Sequence, residues 1–302
     1  MKIGFIGLGK MGYNIVLNLH SKKIKVIAYN RSKEPLDKIK MEGVETAYSI
    51  KELVGKLAKQ KIIWLMVTAG KPVDLVILEL LPFLNKGDIL IDGGNSFYKD
   101  SVRRHGFLKK KGIIFFDIGT SGGLIGARYG ACLTIGGDKN HFGKIEPICR
   151  AVSAKNGYMF VGDCGAGHFV KMVHNGIEYA LLAAYADGFE LLYRGHYKNL
   201  NLGKIAETWN NGSVIRSWLV KLAAEAFKKN PSLGNIEGVV GGGETGEWAI
   251  KTADEFNVPF ESVRLALNLR IKSRKNPGFA GKVIAALRNE FGGHEVVKKG
   301  KK

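Results

Sequence analysis

The stretch from His168 to Tyr179, HFVKMVHNGIEY, gathers residue types suited to acid–base chemistry on one side of a predicted helix. At about 100° per residue, four polar residues fall within about 100° of one another: Lys171, His174, Asn175 and Glu178. A Lys and a Glu two turns apart can supply a base and an acid to one small substrate. The other side carries an apolar stripe, predicted to pack against protein: Phe169, Val173, Ile177, Ala180, Leu181 and Ala184. The alternative is the solvated face of an ordinary amphipathic helix.

The composition is typical of a globular protein without a membrane span. The 302 residues suffice for two domains, and 45% of them are hydrophobic and 24% charged. The densest apolar run, residues 62–67, is far shorter than the ~18 residues that a membrane span needs. The chain enters a predicted strand at its start, so we expect a cytoplasmic protein. The three cysteines lack metal-type spacing, which argues against a disulfide framework or a zinc site.

The formal net charge of +19 has three explanations, taken here in order of preference. They are solubility, attraction of an anionic substrate and a phosphorylated cofactor, and nucleic-acid binding. Lys and Arg are spread along the chain and form no recognisable nucleic-acid module, so we expect no nucleic-acid partner. Only residues 298–302, KKGKK, form a compact basic run, and we expect this tail to be disordered.

Apolar runs and helical patterns alternate through residues 1–165, which predicts an α/β domain with a Rossmann-type, doubly wound and mostly parallel sheet. The predicted strands are 3–6, 25–29, 62–67, 89–91, 113–117, 132–135 and 158–161. The predicted helices between them are 11–20, 49–59 with a Ser49/Glu52 capping box, 73–83 and 100–111. Further helices are predicted at 168–194, 202–210, 215–228, 246–255, 260–275 and 279–289. We place the boundary near Gly165, so that residues 166–302 form an all-helical domain for substrate binding and oligomerisation.

A glycine motif, Gly7-x-Gly9-x-x-Gly12, separates the first strand from the first helix. The first glycine permits the tight turn, the second lets backbone approach a pyrophosphate, and the third lets helix and strand pack closely. The helix N-terminus then faces the phosphates. This context predicts a dinucleotide site, and the alternative is a Gly-rich turn without a ligand.

The second strand ends in Asn30, Arg31 and Ser32, where NAD sites usually carry Asp or Glu to bind the ribose 2′-hydroxyl. Asn30 removes the carboxylate that would repel a 2′-phosphate, and Arg31 offers a planar fork suited to one. The sequence therefore favours NADP, with NAD as the alternative if Arg31 is only solvated.

Two polar, Gly-rich segments follow later strands at the edge where such sheets bind ligands. Residues 92–96 read DGGNS, and residues 119–123 read GTSGG, with GARYG following at 126–130. Their backbone N–H groups, with Asn95 and Ser121, could close on a carboxylate or a hydroxyl. Plain turns are the alternative.

With these motifs assembled, the chain resembles the decarboxylating 6-phosphogluconate dehydrogenases, and by its length their short form. The matching motifs, in order, are GLGKMG, YNRS, DGGNS, GTSGG with GARYG, GAGHFVKMVHNGIEY, WNNGSVIRS, GETGEW and RNEFGGH. DGGNS and KMVHNGIEY are specific to that family, whereas the others are shared with the wider β-hydroxyacid dehydrogenases. The resemblance covers nearly the whole chain.

The resemblance implies roles for individual residues. Lys171 would be the catalytic base and Glu178 the acid. The sugar acid's carboxylate and hydroxyls would be held by Asn95, Ser121, Gly122, Gly123, His174 and Asn175. Its distal phosphate would be held by Tyr179, Arg270, Arg288 and His294. The cofactor would contact Gly7, Leu8, Gly9, Lys10, Met11, Gly12, Asn30, Arg31, Ser32, Val67, Thr68, Ala69 and Asn95. The C-terminal Arg and His would reach the partner subunit's site, which implies a homo-oligomer.

The implied reaction is oxidation and decarboxylation of 6-phosphogluconate to ribulose 5-phosphate. Lys171 must be neutral to accept a proton, so its pKa must fall through desolvation or nearby positive charge. Because the sequence has no Asp/Glu cluster with suitable spacing, we expect no metal. One departure concerns Gly243, where the long-form enzymes carry a phosphate-binding Lys, and Arg270 and Arg288 are the candidates to replace its charge.

Two other functions compete with this one. Another β-hydroxyacid dehydrogenase, for a substrate such as 3-hydroxyisobutyrate, would share the glycine motifs and the base. Glu178 and the Arg288/His294 pair argue against it, because a small substrate without a phosphate needs neither. A non-catalytic NADP-binding protein is the second alternative, and the intact Lys171/Glu178 pair argues against it.

Overall fold

The structure is a computed structural model and describes residues 1–300. Cα packing divides the chain into two compact units, Met1–Met172 and Val173–Lys302, with the division inside a long helix. The boundary expected near Gly165 stays a prediction. None of the helices within residues 1–300 is both long and apolar enough to cross a membrane.

The first unit is built on one eight-stranded sheet. Its strands are β1 (Lys2–Ile6), β2 (Lys25–Tyr29), β3 (Glu45–Thr46), β4 (Ile62–Leu65), β5 (Ile89–Asp92), β6 (Ile114–Ser121), β7 (Ala131–Gly137) and β8 (Ser153–Gly162). They lie in the order β3-β2-β1-β4-β5-β6-β7-β8. All neighbours pair in parallel except β6 and β7, which are antiparallel. The predicted doubly wound, mostly parallel sheet is confirmed, and the short β3 was not predicted.

Helices cover both faces of this sheet. They are α1 (Lys10–Ser21), α2 (Lys33–Met41), α3 (Ile50–Gly55), α4 (Lys71–Leu80), α5 (Tyr98–Lys109), α6 (Gly123–Tyr129) and α7 (Lys139–Val152), with a 3₁₀ turn at Leu81–Phe83. Alternation along β1 sends Ile3 and Phe5 into a core with α1 and α7, while Ile6 enters another core with α3 and α4. Burial on both faces explains the continuous apolar runs of these strands.

The second unit is all-helical, as predicted. Its helices are α8 (Ala166–Arg194), which begins in the first unit, α9 (Leu202–Asn210), α10 (Trp218–Lys229), α11 (Glu244–Glu255), α12 (Glu261–Ser273) and α13 (Phe279–Gly292). One core joins apolar residues of α8, α9, α10 and α13, among them Phe189, Phe227 and Phe279. A smaller cluster joins α11 and α12 through Ile250, Val263 and Leu267.

Several local predictions were wrong. The GARYG segment lies mostly inside α6 and is not a loop. The predicted helix at 49–59 ends at Gly55. Half of its predicted capping box is present, because the Ser49 side chain accepts from the Glu52 N–H. The Glu52 carboxylate, however, accepts from the Tyr48 N–H and not from that of Ser49. The basic tail is paired in part, because Lys299 N–H donates to the Asn235 carbonyl at 3.0 Å. Residues 301–302 of that tail lie outside the described residues.

Candidate active site

The glycine motif has the geometry that a dinucleotide site requires. Gly7 has φ +104°, and a Cβ built on it would lie 2.3 Å from the Met66 carbonyl oxygen. A Cβ on Gly12 would lie 2.1 Å from the Gly7 carbonyl oxygen, so α1 can approach β1 only with glycine there. A Cβ on Gly9, by contrast, would meet none of the atoms of residues 1–300 within 4 Å. The space over Gly9, at the N-terminus of α1, therefore fits the pyrophosphate of a dinucleotide.

The other residues of the turn and of the β2 end surround this space. The Leu8 N–H donates to the Asn30 side-chain oxygen at 3.0 Å, and the Asn30 amide donates to the Ser32 carbonyl at 3.1 Å. Asn30 thus holds the glycine turn against the end of β2, a role that the sequence did not predict. Arg31 and Ser32 are exposed beside it, as is Lys10 in the first turn of α1, while Met11 packs on the core.

The turn lies at the switch point of the sheet, because β2 flanks β1 on one side and β4 flanks it on the other. The loop after β4 carries the predicted cofactor residues Val67, Thr68 and Ala69. A Cβ on Gly7 would lie 3.1 Å from Val67 Cγ1, and one on Gly94 would lie 3.0 Å from the Val67 carbonyl oxygen. The structure therefore brings three of the predicted ligand loops to one edge of the sheet.

The DGGNS loop is held by the carboxylate of Asp92, which is completely buried at the end of β5. This carboxylate accepts from the Gly94 N–H at 3.1 Å and from the Ser96 hydroxyl at 2.7 Å. The buried Arg104 donates to it at 3.3 Å. With Asp92 and Ser96 turned inward, Asn95 is the exposed side chain of the loop, as a substrate or cofactor contact requires.

The GTSGG segment ends β6 and starts α6. Ser121 is the last residue of β6, and its side chain is buried, with 8% of the residue exposed. Gly122 (φ +112°) and Gly123 (φ +58°) turn the chain into α6. Because β5 and β6 are parallel neighbours, Ser121 at the end of β6 and Asn95 after the end of β5 lie toward the same edge of the sheet.

Lys171 lies where α8 packs directly on the backbones of β6 and β7, because the contact positions are glycines. A Cβ built on Gly119 would lie 2.4 Å from Lys171 Cβ, and one on Gly167 would lie 2.4 Å from the Asp117 carbonyl oxygen. The Thr134 hydroxyl donates to the Gly167 carbonyl at 2.9 Å. The glycines of GTSGG and GAGHF thus fix the position of the half-buried Lys171.

A buried carboxylate anchors the start of α8. Asp117 accepts from the Gly165 N–H at 2.6 Å and from the His168 N–H at 2.8 Å, and it is completely buried. The His168 ring nitrogen Nδ1 lies 2.7 Å from the Ser101 hydroxyl. Negative charge at a helix N-terminus is favourable, so Asp117 both caps and orients the helix that carries Lys171. This role of Asp117 was not predicted from the sequence, although its position shortly before GTSGG was an available signal.

The remaining polar residues of the motif follow along α8. His174 is exposed and its Nδ1 lies 3.2 Å from the Asn175 side-chain oxygen, while Glu178 is half-buried. Within α8, Glu178 is about 10 Å beyond Lys171. The predicted apolar stripe is wrong in part: Ile177 is 51% exposed and Leu181 44% exposed, so their packing does not come from residues 1–300.

In the second unit, Tyr179 and two arginines form a cluster. The Arg270 guanidinium carbon lies 3.6 Å from the centre of the Tyr179 ring, and Arg270 is only 3% exposed. The Arg288 guanidinium donates to the Gly241 carbonyl of the same chain at 2.9 Å. The cation–π contact orients the Arg270 guanidinium against the Tyr179 ring.

Burial and mutual repulsion disfavour the positive charges of the two arginines in this cluster. Burial lowers the pKa of Arg270, while Tyr179 and Glu178 act in the opposite direction. Burial and the neighbouring Arg270 both lower the pKa of Arg288. Burial raises the pKa of Tyr179 against the effect of both arginines, so its hydroxyl stays protonated at neutral pH. A bound anion stabilises a buried cation such as Arg270 beside the half-buried Arg288, and a phosphate fits the planar forks of both guanidinium groups.

Two further residues belong to the surroundings of this cluster. His294 follows the end of α13; it is exposed, and its ring meets Phe291 edge-on at 6.1 Å. Arg274, which was not predicted from the sequence, donates to the Gly242 carbonyl. Its position four residues after Arg270, at the C-cap of α12, was the available signal. Residues 1–300 contain no group of three or more His, Cys, Asp or Glu side chains that could hold a metal ion.

Comparisons with known proteins agree with these features. The family models for the NAD binding domain and for the C-terminal domain of 6-phosphogluconate dehydrogenase match residues 2–162 and 167–281. The NAD(+)-dependent, decarboxylating 6-phosphogluconate dehydrogenase of Haloferax volcanii is 42% identical over 301 residues, which cover 99% of both chains. The 6-phosphogluconate dehydrogenase of Plasmodium falciparum, solved alone, with its cofactor NADP+ and with its substrate 6-phosphogluconate, matches with a TM-score of 0.84.

The Plasmodium match has 32% identity and covers 91% of this chain but 62% of that one. A 3-hydroxyisobutyrate dehydrogenase of Salmonella typhimurium shares the fold, with a TM-score of 0.77 and 18% identity over 94% of this chain and 99% of its own. Both halves of the chain and its full length therefore match one family. The chain belongs to the 6-phosphogluconate dehydrogenase family.

Proposed function

We propose that the chain catalyses the oxidative decarboxylation of 6-phosphogluconate to ribulose 5-phosphate and carbon dioxide, with NADP as the oxidant. The observation that carries this proposal is the contact of the buried Arg270 with the ring of Tyr179. Tyr179 lies on α8, the helix that also bears Lys171 and Glu178. A dehydrogenase for a small hydroxy acid without a phosphate would not need this pair of neighbouring arginines, of which Arg270 is buried. The names of the Haloferax and Plasmodium relatives support the same reaction.

In the proposed mechanism, Lys171 and Glu178 move the protons. When bound, NADP would supply the acceptor for the hydride of substrate C3. Lys171 Nζ, in its neutral form, takes the proton of the C3 hydroxyl, which yields a β-keto acid. The C1–C2 bond then breaks, carbon dioxide leaves, and protonated Lys171 stabilises the negative charge that develops on the C3 oxygen. Glu178 helps to deliver a proton to the carbon that lost the carboxylate, which gives ribulose 5-phosphate.

The substrate is proposed to be bound by two kinds of groups. The carboxylate and hydroxyls would be held by short polar groups and backbone, namely Asn95, Ser121, Gly122, Gly123, His174 and Asn175. The distal phosphate would be held by Tyr179, Arg270, Arg288 and His294. This division fits the burial of Arg270, because a phosphate dianion offsets the cost of desolvating a guanidinium group.

NADP is the proposed coenzyme. Arg31 is exposed at the end of β2, and the neighbouring Asn30 is occupied with the Leu8 N–H and carries no negative charge to repel a 2′-phosphate. The Haloferax relative is named as NAD(+)-dependent and the Plasmodium enzyme was solved with NADP+, so both coenzymes occur among the relatives. The side chain of Arg31 is the feature of this chain that favours NADP.

We also propose that the protein is a homo-oligomer. Large apolar side chains follow one side of α8 and are exposed: Ile177 at 51%, Leu181 at 44% and Leu191 at 73%. Their spacing of four and ten residues keeps them on one face, and such a stripe is typical of a helix that packs against another chain. Completion of a neighbouring site by C-terminal residues stays a prediction, and Arg288 contacts the Gly241 carbonyl of its own chain.

The test is a coupled assay of NADPH formation and carbon dioxide release from 6-phosphogluconate, with 3-hydroxyisobutyrate as the control substrate. We expect equal molar amounts of both products from 6-phosphogluconate and neither from the control. NADPH without carbon dioxide would contradict the proposal.

Lys171→Ala tests the base in the same assay. We expect turnover to be lost while the affinity for NADP stays close to that of the wild type, because Lys171 lies outside the glycine turn. Lys144→Ala, which removes an exposed Lys from α7, is the matched control and should keep full activity. Turnover of Lys171→Ala near the wild-type rate would eliminate the assigned base.

A further inference from the structure

The loop before α11 is contacted by two guanidinium groups. Arg288 donates to the Gly241 carbonyl at 2.9 Å, and Arg274 donates to the next carbonyl, that of Gly242. Arg274 is the C-cap residue directly after α12, four residues after the buried Arg270. Three guanidinium groups therefore converge on the second unit's cluster, although only Arg270 and Arg288 were expected there.

The Arg274 guanidinium lies beside the place that a side chain at position 243 would occupy. A Cβ built on Gly243 would lie 3.6 Å from Arg274 Nη2 and 3.3 Å from Leu267 Cδ1. Gly243 has φ +146°, a conformation that side-chain-bearing residues rarely adopt. A Lys at position 243 would therefore be strained, whereas Arg274 brings a cation to the same spot from the end of α12.

The cluster carries more positive than negative charge, so a bound anion would balance it. Arg274 is close enough to Arg270 to lower its pKa further, and the carboxylates close enough to affect the same arginines are Glu178 and Glu244. Three cations thus face two carboxylates, and Glu178 is the proposed proton donor. Arg274 uses one of its five N–H groups on Gly242, which leaves donors for a ligand.

We infer that Arg274 is a third phosphate-binding residue, which donates charge-assisted hydrogen bonds to the distal phosphate of the substrate and supplies the cation that position 243 lacks. This inference rests on the proposed function and makes it more specific. The three guanidinium groups would surround a terminal phosphate dianion, so the site would select sugar acids that carry one over their unphosphorylated counterparts.

The experiment compares Arg274→Met with Lys272→Met, a control that removes an exposed cation from the same turn of α12. Steady-state kinetics with 6-phosphogluconate is combined with calorimetric binding of 6-phosphogluconate, gluconate and inorganic phosphate. For Arg274→Met we expect the KM for 6-phosphogluconate to rise about 10- to 100-fold, with a smaller effect on kcat. The Kd values of 6-phosphogluconate and of inorganic phosphate should rise by a similar factor. Gluconate binding should change less than threefold, and Arg274→Lys should recover part of the loss. Lys272→Met should behave as the wild type.

A purely structural role for Arg274, in holding the Gly242 carbonyl, would give another result. Binding of gluconate and 6-phosphogluconate would then weaken equally, together with a lower Tm, and the inference would be overturned. Unchanged KM and phosphate affinity in Arg274→Met would overturn it as well, and would leave the proposed function intact. If the wild type does not turn over 6-phosphogluconate, the proposed function fails, while the binding of inorganic phosphate still decides whether Arg274 contacts an anion.

Discussion

A single methyl group added at Gly119 should displace the proposed catalytic base. Gly119 lies in β6 beneath the first turns of α8. In Gly119→Ala the new Cβ would start 2.4 Å from Lys171 Cβ, 2.6 Å from Thr134 Oγ1 and 2.8 Å from the Gly167 carbonyl oxygen. Ordinary contacts begin at 3.4 Å, so Lys171 Cβ must retreat by about 1 Å. Because Cβ is rigidly attached to the backbone, this movement must shift α8 itself.

Two magnitudes follow from this displacement. Overpacking of a buried position costs about 1–3 kcal/mol of unfolding free energy. A misplacement of about 1 Å at a reacting group costs about 100-fold in rate. We therefore expect Gly119→Ala to remain folded with a lower Tm, and its kcat for 6-phosphogluconate to fall about 100-fold. Its affinity for NADP should stay near the wild-type value, because Gly119 lies outside the glycine turn.

The assay is NADPH formation under saturating substrate, with calorimetric titration of NADP on the same samples. Gly143→Ala serves as the control, since an added methyl there has nothing within 4 Å in the described part of the chain. That variant should gain about 0.5–1 kcal/mol of stability from helix propensity and keep its kcat. If folded Gly119→Ala retains kcat within threefold of the wild type, the argument that glycines position Lys171 is refuted.

Two further predictions concern charge. Arg31→Glu should lower kcat/KM for NADP about 10- to 100-fold and leave kcat/KM for NAD nearly unchanged. Lys40→Glu, near the other end of α2, is the control and should change neither value. If Arg31→Glu leaves the ratio of the two kcat/KM values unchanged, Arg31 does not select NADP. Burial tends to raise the pKa of Asp74, but hydrogen bonds from Arg104 and Arg103 outweigh it and lower the pKa overall. A lowered pKa stabilises the fold above the unfolded value of about 4, so the stability difference between wild type and Asp74→Asn should be constant from about pH 7 to 5 and shrink below about pH 4. A difference that grows on acidification, measured by urea unfolding, would contradict this assignment.

The sheet and the glycine turn could be predicted from sequence because their signals are local. Burial on both faces makes each central strand a continuous apolar run, and the turn needs glycine at fixed spacing. Helix α7 was missed because Pro147 lies inside it, and proline usually ends a helix. Helix α6 was missed because its Gly126 resembles a loop residue; a Cβ there would lie 3.4 Å from the Ser121 carbonyl oxygen, which gives the glycine a packing role.

The candidate site was predictable only where its residues lie in one motif. Lys171 and Glu178 share a helix, so periodicity placed them on one side. The dependence of Lys171 on Gly119 and the capping of α8 by Asp117 require contacts between segments about 50 residues apart, which no local pattern encodes. Arg274 was missed for the same reason, since its role depends on how α12 approaches the loop at Gly242.

The close crossing of α8 over the sheet has a consequence for engineering this scaffold. Built side chains at Gly119, Gly136 and Gly167 would each come within 2.8 Å of backbone or of Lys171 Cβ. The Lys171 side chain is thus positioned by residues that have no side chain to offer a ligand, and mutant libraries limited to residues with side chains in the proposed site would never sample them. A redesign that changes the substrate can vary exposed side chains such as Asn95, but it must leave these three glycines unchanged.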